Sequence, residues 1–531
     1  TQHADRPFSV CMDRWMSYGE LDRLSTQMGA WLQSLGLEPG ARVAIMLPNV
    51  PQFAVSMAGV LRAGFTCVNV NPLYTARELE HQLKDSGATA IIILENFAHT
   101  LAQVLERSHI RHICLTSMGD LLGGLYGSWI TFAVRHLAKM VPAFDLPLGP
   151  DSGAGSQQRQ VTQFSKALTE GAGRKLIPST ATLDSIAFLQ YTGGTTGLSK
   201  GAMLTHRNLV ANVEQFKAFV PDALRPAQEV IVTAIPLYHI FALMVNLISY
   251  FAVGARNWLV PNPRDLAVLI DVLKAARPSV FMGVNTLYAG LAAHPGTQGV
   301  DFSNLRLAGG GGAAILPSVS ARWQAITGQF IREGYGLSET SPVVAFNPAS
   351  VTAFSGSTGL PLPSTDVLLL DDHGHPVPLG QPGEVCVKGP QVMGGYWQQP
   401  EANAAAFTPD GYFRTGDIGQ LDERGFLKIV DRKKDMVIVS GFNVYPNEVE
   451  DVVSNCPGVL ECAVVGVPDE KTGEAVKLIV VKKDPALTEQ VLRDYCHANL
   501  TGYKRPRHIV FRTELPKTPV GKILRRELRD A

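Results

Sequence analysis

Short aliphatic runs alternate with helical patterns along the first 120 residues, and this alternation limits the possible folds more than any other feature. The strand-like runs are 43–47, 67–70 and 90–94, and the helical runs are 18–32 and 53–61. Strands that alternate with helices favour a parallel α/β sheet, because each helix forms the crossover between neighbouring strands. The same alternation resumes from Ile186 to about Gln329, so the sequence predicts a second α/β stretch.

The pattern changes twice towards the C-terminus. From about Gly356 to Ile429, short strand-like runs are separated by Gly/Pro turns, which indicates a β-rich subdomain. After Asp431 a smaller unit combines strand-like runs at 462–467, 476–481 and 509–511 with a helical run at 488–500. We therefore predict an α/β protein with a large N-terminal domain of two α/β subdomains plus a β-rich subdomain (1–430). A small α+β C-terminal domain follows (431–531).

Charge and cysteine content exclude several classes of function. Lys and Arg number 47 and Asp and Glu also number 47, so the chain lacks the basic excess typical of proteins that bind nucleic acid. The seven cysteines are scattered without a Cys-x-x-Cys pair. This pattern argues against a disulfide framework or a structural zinc site and favours a reducing compartment.

Two uncharged stretches bear on membranes. Residues 230–255 lack Asp, Glu, Lys and Arg, but they contain Pro236 and His239 and begin with β-branched residues. We interpret them as a buried strand, a turn and a buried helix rather than a membrane span. Residues 121–134 are also uncharged and are followed by Arg135, His136 and Lys139. They are equally compatible with an interfacial helix that has a basic flank and with a helix packed on its own domain.

A run of Gly, Thr and Ser at Tyr191–Gly201 follows the apolar strand Ile186–Leu189, and Thr205 can cap the helix that comes next. Glycines let the backbone approach an anion closely, hydroxyls donate hydrogen bonds and Lys200 adds positive charge, so the run predicts a phosphate site. It is not a Walker A loop, because Lys200 is followed by a glycine instead of Ser or Thr.

Four segments together resemble a known family. Tyr191–Gly201 resembles the phosphate-binding signature of the adenylate-forming superfamily, which includes acyl-CoA synthetases, luciferase and peptide-synthetase adenylation domains. Tyr335–Glu339, Tyr412–Asp417 and Pro516–Lys522 resemble three further motifs of that family in the same order. Because the motifs span nearly the whole chain, the resemblance predicts the family's large domain, its hinge at Asp431 and its mobile small domain.

The resemblance also implies roles for individual residues. It makes Glu339 and Thr195 the ligands of Mg²⁺, and Lys200, Thr195, His239 and above all Lys522 the catalytic groups that act on the carboxylate and the α-phosphate. Asp417 and Arg432 then contact the ribose, Tyr335 lies against adenine, and Gly441 belongs to the face that guides the pantetheine of CoA. The predicted nucleotide- and CoA-binding residues are Thr192, Gly193, Gly194, Thr195, Thr196, Gly197, Gly311, Gly312, Ala313, Tyr335, Gly336, Asp417, Arg432 and Gly441.

The expected substrates are a long-chain fatty acid, ATP and CoA. The stretch Pro236–Leu243 contains no acid that could pair with an amino-acid ammonium. Residues 71–74, 410–435, 442–446 and 521–528 resemble the bacterial long-chain fatty-acid–CoA ligases. Such a substrate partitions into membranes, which suits a cytoplasmic enzyme with peripheral contact at the inner face of the cytoplasmic membrane. Family members are often dimers, and a homodimer stays open here.

Other functions remain open at this point. The alternative enzymes are a medium-chain or aryl-acid CoA ligase and an acyl-AMP ligase that loads a carrier protein. The latter often carries an insertion near the domain junction, for which Ile429–Val439 leaves no room. The alternatives that are not enzymes are a non-catalytic ATP-binding module and a membrane-embedded protein. Thr1–Arg6 shows no signal-peptide pattern, but the chain starts with Thr, so we conclude nothing from that absence.

Overall fold

A computed structural model describes residues 3–146, 159–192, 199–440, 442–518 and 521–529. It confirms the predicted α/β class, with two large mixed sheets, a four-stranded antiparallel sheet and a smaller C-terminal sheet over these residues. Both large sheets are mainly parallel, as the alternation of strands and helices predicts. Antiparallel strands occur only at the edges of these two sheets, in the part of the chain that is described.

The first α/β sheet ends in the hairpin that flanks the Gly/Thr run. Its central strands are apolar on both faces, as is usual for parallel strands covered by helices on both sides; residues 43–46 and 90–94 are all buried. In spatial order the strands are Gln160–Gln163, His112–Thr116, Ala90–Leu94, Arg42–Met46, Thr66–Asn69, Ile186–Thr192 and Lys200–Thr205.

The second α/β sheet carries the glycine-rich segment and the Tyr335–Glu339 motif. In spatial order its strands are Leu360–Pro361, Val343–Phe346, Ile331–Gly336, Leu307–Gly310, Val280–Gly283, Val230–Thr233, Arg256–Leu259, Pro7–Cys11 and Arg14–Ser17. Gly309 and Gly310 belong to the strand Leu307–Gly310, whereas the strand-like run of the sequence, Leu305–Leu307, ends before them. A Cβ on Gly309 would lie 2.3 Å from the Met282 sulfur, so close packing between strands requires glycine there.

Two antiparallel sheets complete the fold. The four-stranded sheet contains Asp366–Leu370, Gly383–Lys388, Phe413–Leu421 and Leu427–Arg432. The C-terminal sheet contains Phe442–Val444, Val437–Val439, Gly473–Lys482 and Val459–Asp469, with His508–Arg512 parallel to Gly473–Lys482. The predicted boundary at 430/431 falls inside the strand Leu427–Arg432, and it stays a prediction.

Helices cover the sheets, and several begin at capping residues. Ser17, Thr75 and Thr205 each accept a hydrogen bond from the third residue of the helix that follows. The α-helices are Tyr18–Gln33, Pro51–Arg62, Ala76–Ser86, Ala98–Val104, Gly124–Phe132, Phe164–Ala172, His206–Phe219, Tyr250–Ala252, Leu266–Ala276, Asn285–Ala293, Pro317–Thr327, Pro400–Ala406, Pro446–Ser454, Glu489–Asn499 and Arg526–Arg529. The π-helices are Ala133–Leu137 and Ala242–Ser249, and the 3₁₀ turns are Glu95–Phe97, Leu105–Arg107, Pro295–Gly299, Ser338–Thr340 and Gly502–Lys504.

The uncharged stretch 230–255 lies in the protein interior. It forms the inner strand Val230–Thr233 and the mostly buried π-helix Ala242–Ser249, so the prediction of a buried strand, turn and helix is confirmed. Among the described residues, no helix combines the length and the apolar character needed to cross a bilayer.

Candidate active site

The Gly/Thr run connects two antiparallel strands at the edge of the first sheet. Thr192 ends one strand and stands in register with Lys200, which begins the next. His81 Nε2 donates to the Ser199 carbonyl oxygen at 2.8 Å, so the helix Ala76–Ser86 holds one end of the run. Gly193, Gly194, Thr195, Thr196 and Gly197 lie outside the described residues.

Glu339 lies in a 3₁₀ turn just beyond the strand Ile331–Gly336, and its side chain is buried. The Tyr396 hydroxyl donates to Glu339 Oε1 at 2.8 Å, and Lys200 Nζ lies 5.4 Å from the centre of the same Tyr396 ring. Burial raises the pKa of Glu339, and the hydrogen bond from Tyr396 opposes that rise. Tyr396 therefore joins two predicted site residues, Glu339 and Lys200.

Asp417 connects two other predicted residues. The Tyr335 hydroxyl donates to Asp417 Oδ2 at 2.6 Å, and Arg432 Nε lies 3.7 Å from Asp417 Oδ1. Asp417 and Arg432 are paired across neighbouring antiparallel strands, so the register of the four-stranded sheet places them together. The Asp417 side chain is 10% exposed and that of Arg432 is 34% exposed, which leaves a polar edge where hydroxyl groups of a ligand can bind.

Lys522 lies in a tight turn in which its backbone N–H donates to Thr518 Oγ1 at 3.0 Å. Burial, followed by repulsion from Arg432, lowers the pKa of Lys522 to about 7, although attraction from Asp417 opposes both effects. Burial, followed by repulsion from Lys522, lowers the pKa of His239 to about 4. His239 Nδ1 accepts the Phe241 N–H at 3.2 Å, so the neutral ring carries its proton on Nε2.

Contacts between the Lys522 turn and the large domain are close. A Cβ on Gly521, whose φ is +79°, would lie 2.2 Å from Thr286 Oγ1 and 3.5 Å from a methyl carbon of Val284. Only glycine fits this position without a shift. The small domain is therefore oriented with its lysine turn against the large domain, beside His239 and Asp417.

The predicted nucleotide-binding residues Gly311, Gly312 and Ala313 follow the strand Leu307–Gly310. Gly311 packs near Phe241, while Gly312 and Ala313 are exposed, and Gly312 has a φ of +78°. Gly336 is tightly confined, because a Cβ there would lie 2.0 Å from the Pro342 carbonyl oxygen. Gly441, the predicted pantetheine-guiding residue, lies outside the described residues.

Arg525 forms a buried ion cluster beside the predicted hinge. Its guanidinium lies 3.1 Å from Asp431 Oδ1 and 2.8 Å from Glu450 Oε2, and it also donates to Asn447. Burial raises the pKa of Asp431 to about 6, and Arg525 opposes that rise. The lysine turn and the hinge are thus connected through one side chain, three residues after Lys522.

Sequence reasoning missed Tyr396 and Arg525. Tyr396 lies in a segment whose backbone pairs with the strand that begins at Lys200: Trp397 N–H donates to the Gly201 carbonyl at 2.8 Å. The only sequence signal is the run Gly394–Trp397, which does not specify a contact with Glu339. Arg525 was noted within a segment that resembles the ligases, but the segment alone gave it no ionic partner.

The arrangement suits chemistry on a nucleotide phosphate. One edge presents Tyr335, Asp417 and Arg432 to ligand hydroxyls, and Lys522 lies close enough to Arg432 and Asp417 to interact with their charges. Lys200 lies against the Tyr396 ring, whose hydroxyl contacts Glu339. Within the described ranges there is no cluster of three or more His, Cys, Asp or Glu that could hold a metal ion alone. A single buried carboxylate, Glu339, instead fits Mg²⁺, which is often bound by one carboxylate together with substrate phosphates.

Comparison with known proteins agrees with this geometry. The family model described as AMP-binding enzyme matches residues 1–397, and the model for the AMP-binding enzyme C-terminal domain matches residues 448–522. The chain is 51% identical over 530 residues to a long-chain-fatty-acid–CoA ligase of Escherichia coli O6:H1, covering 100% of this chain and 92% of the relative. It is also 51% identical over 531 residues to the enzyme of that name from Salmonella typhimurium, with the same coverage.

A solved structure gives the same result in three dimensions. ATP-bound MatB from Rhodopseudomonas palustris superposes with a TM-score of 0.82 at 29% identity, over 99% of this chain and 96% of that one. Both family models, the full-length similarity and the shared architecture place the chain in one family. The chain belongs to the AMP-binding enzyme family.

Proposed function

We propose that the protein is an AMP-forming long-chain fatty-acid–CoA ligase. The observation that carries the proposal is the convergence of Lys522, Asp417, Arg432 and Tyr335 around one edge. The two relatives from Escherichia coli and Salmonella typhimurium, which carry this activity in their names, match the chain along its whole length. An amino-acid substrate is disfavoured, because the stretch around His239 offers no carboxylate for an ammonium group.

In the first step the fatty-acid carboxylate attacks the α-phosphate of ATP, and pyrophosphate leaves as acyl-AMP forms. Negative charge accumulates around the phosphoryl centre, and positioned cations stabilise it. Lys522 and Lys200 supply such cations, while Asp417 accepts hydrogen bonds from the ribose hydroxyls. Neutral His239 can donate from Nε2 to the carboxylate without adding a second positive charge next to Lys522.

The residues also fit a bound Mg²⁺. Glu339 would hold it, together with ATP oxygens and the predicted Thr195, and the ion would supply positive charge to the phosphates. Tyr396 favours the ionised form of Glu339 through its hydrogen bond, and only that form is a ligand. Tyr396 thus prepares the carboxylate for metal binding.

In the second step the thiol of CoA attacks the acyl carbonyl, and AMP leaves. We propose that this step needs a second orientation of the small domain, with residues 1–430 and 431–531 turning about Asp431. The Lys522 turn, now against Thr286 and Val284, would withdraw, and the face around Gly441 would guide the pantetheine. Such domain movements commonly separate two half-reactions of one enzyme.

Two weaker expectations accompany the proposal. Peripheral contact with the inner face of the cytoplasmic membrane would suit a substrate that partitions into bilayers. A homodimer stays a prediction, and sedimentation velocity at several protein concentrations would test it.

The activity is tested by mass spectrometry of one mixture of protein, Mg-ATP, CoA, palmitate, octanoate and benzoate. We expect palmitoyl-CoA with AMP in equal amounts. Octanoyl-CoA as the main product would indicate a medium-chain ligase, and benzoyl-CoA would indicate an aryl-acid ligase. Acyl-AMP without a thioester would indicate an enzyme that loads a carrier protein. Release of ADP instead of AMP would contradict the mechanism.

The two-orientation mechanism is tested with Lys522→Ala and the neighbouring exposed control Arg526→Ala. We expect K522A to lose acyl-AMP formation and to keep thioester formation from supplied acyl-AMP, because Lys522 acts only in the first orientation. R526A should retain both half-reactions. Equal loss of both half-reactions in K522A would refute the second orientation.

A further inference from the structure

The helix Gly124–Phe132, the π-helix Ala133–Leu137 and residues 138–140 pack on the protein with apolar side chains facing outwards. Among the described residues, seventeen large hydrophobic side chains are exposed, and five of them fall within the sixteen residues 125–140: Leu125, Trp129, Phe132, Leu137 and Met140. Leu125 is 92% exposed. Soluble proteins normally turn such a stripe towards the core, and a contiguous exposed patch usually marks an interaction surface.

The exposed side chains form one stripe. Leu125, Trp129, Phe132 and His136 follow the spacing that places residues on a single helix face. The Trp129 and Phe132 rings are stacked with their centres 5.9 Å apart, and the centres of the Phe132 and His136 rings are 4.9 Å apart. The aromatic groups are therefore continuous along the outer face.

The inner face is held by a close glycine contact, a hydrogen bond and an ion pair. Gly127 is the one buried residue within this fully described helix, and a Cβ on Gly119 would lie 1.9 Å from its carbonyl oxygen. The Tyr126 hydroxyl donates to the Met12 carbonyl at 3.1 Å, and the Arg135 guanidinium pairs with the buried Glu95 at 2.5 Å. These contacts hold the helix without using its apolar stripe, so the orientation is set by the fold.

The charge around the stripe points to its occupant. Residues 121–144 contain no Asp or Glu, while Lys139 and His136 are exposed at the end of the stripe. Arg14 lies with its guanidinium 4.7 Å from the centre of the Tyr126 ring, beside the same helix. Aromatic and aliphatic side chains with a cationic border suit the interface of an anionic bilayer.

We propose that residues 125–140 form a membrane-docking surface that lies in the plane of an anionic lipid leaflet. The inference rests on the proposed function in that it gives a fatty-acid ligase access to the phase where its substrate dissolves. Trp129 and Phe132 insert at the level of the headgroups, and Lys139 contacts lipid phosphates. A second copy of the chain is the competing occupant, and the experiment distinguishes the two.

The test is co-sedimentation of the full-length protein, without substrates, with vesicles of phosphatidylcholine and roughly one-third phosphatidylglycerol. The variants are Trp129→Ser/Phe132→Ser and Lys139→Glu, and the matched control is Leu379→Ser, which removes a 63% exposed leucine elsewhere. We expect W129S/F132S to lower the partition coefficient at least about tenfold and K139E about fivefold, with L379S unchanged. Thermal unfolding of each variant checks that the fold is intact.

Vesicle binding tests the membrane-docking surface independently of the ligase activity. Wild-type protein that stays in the supernatant, or variants that all bind like the wild type, would overturn the docking surface. So would a lipid-free dimer that W129S/F132S converts to monomers, because the stripe would then bind a second copy. Vesicle binding by a protein that makes no palmitoyl-CoA would leave the surface standing and refute the proposed function.

Discussion

The protonation of Lys522 should control the pH dependence of acyl-AMP formation. Burial and repulsion from Arg432 lower its pKa from 10.5 to about 7, which corresponds to about 5 kcal/mol against the charged form. The ammonium is present below pH 7 and is lost as the pH rises through 7. Because kcat/KM reports the free enzyme, kcat/KM for ATP in the first half-reaction should fall by about thirty-fold between pH 6 and pH 8.5.

The second half of this prediction concerns the complex. ATP brings negative charge to within reach of Lys522, and a neighbouring opposite charge favours the ammonium. We therefore expect kcat to remain nearly constant over the range in which kcat/KM falls. A pH dependence in kcat/KM that is absent from kcat would show that bound ATP keeps Lys522 protonated.

The assay is pyrophosphate release with palmitate and no CoA, measured from pH 6 to pH 9. Lys522→Arg is the matched variant, because arginine stays charged throughout and its profile should be flat. Thioester formation from supplied acyl-AMP provides the internal control, and it should not follow the pKa of Lys522. A wild-type kcat/KM that is constant across this range, or a K522R profile with the same fall, would refute the reasoning.

Three further predictions concern neighbouring contacts. Tyr396→Phe removes the donor to Glu339 and should raise the Mg²⁺ concentration for half-maximal activity about tenfold, since a hydrogen bond to a charged group contributes about 1.5–3 kcal/mol; a magnesium titration unchanged from wild type would contradict this role. Arg525→Met leaves the buried Asp431 and the partly buried Glu450 without their cation and should lower the free energy of unfolding in urea by about 3–5 kcal/mol, whereas exposed Arg526→Met should change it by less than about 0.5 kcal/mol. Gly336→Ala places a methyl group 2.0 Å from a carbonyl oxygen and should abolish ATP binding in calorimetry, whereas Gly394→Ala, with open space around it, should not; equal ATP binding by both alanine variants would refute the argument.

Much of the fold follows from local pattern. The strands at 43–46 and 90–94 are apolar throughout because helices cover both faces of a parallel sheet, and that burial is visible as unbroken aliphatic runs. The Gly309–Gly310 strand was missed for a physical reason. Glycine has low strand propensity, and only the position of the Met282 sulfur in three dimensions shows why it is needed there.

Some residues of the candidate site could be predicted from the sequence, and others could not. Asp417 and Arg432 could be predicted from motifs, and their contact follows from the register of adjacent strands. Tyr396 could not, because its partner Glu339 is 57 residues away and the two meet only after the segment around Gly395 pairs with the strand at Lys200. Sequence motifs identify groups that touch a ligand, whereas the groups that position them depend on tertiary packing.

The strand Leu427–Arg432 connects the predicted hinge residue Asp431 directly to Arg432. Asp431 belongs to that strand of the four-stranded sheet, yet its two carboxylate oxygens accept hydrogen bonds from Arg525 and from the Asn447 backbone N–H of the small domain. The next residue, Arg432, pairs with Asp417 at the nucleotide edge. In the proposed two-orientation mechanism, a rotation of the small domain would therefore act one residue away from Arg432, a proposed nucleotide contact. By reciprocity, the orientation that binds a nucleotide more tightly would be favoured when that nucleotide is bound. The change from ATP to acyl-AMP to AMP would then shift the balance between the two orientations at each step.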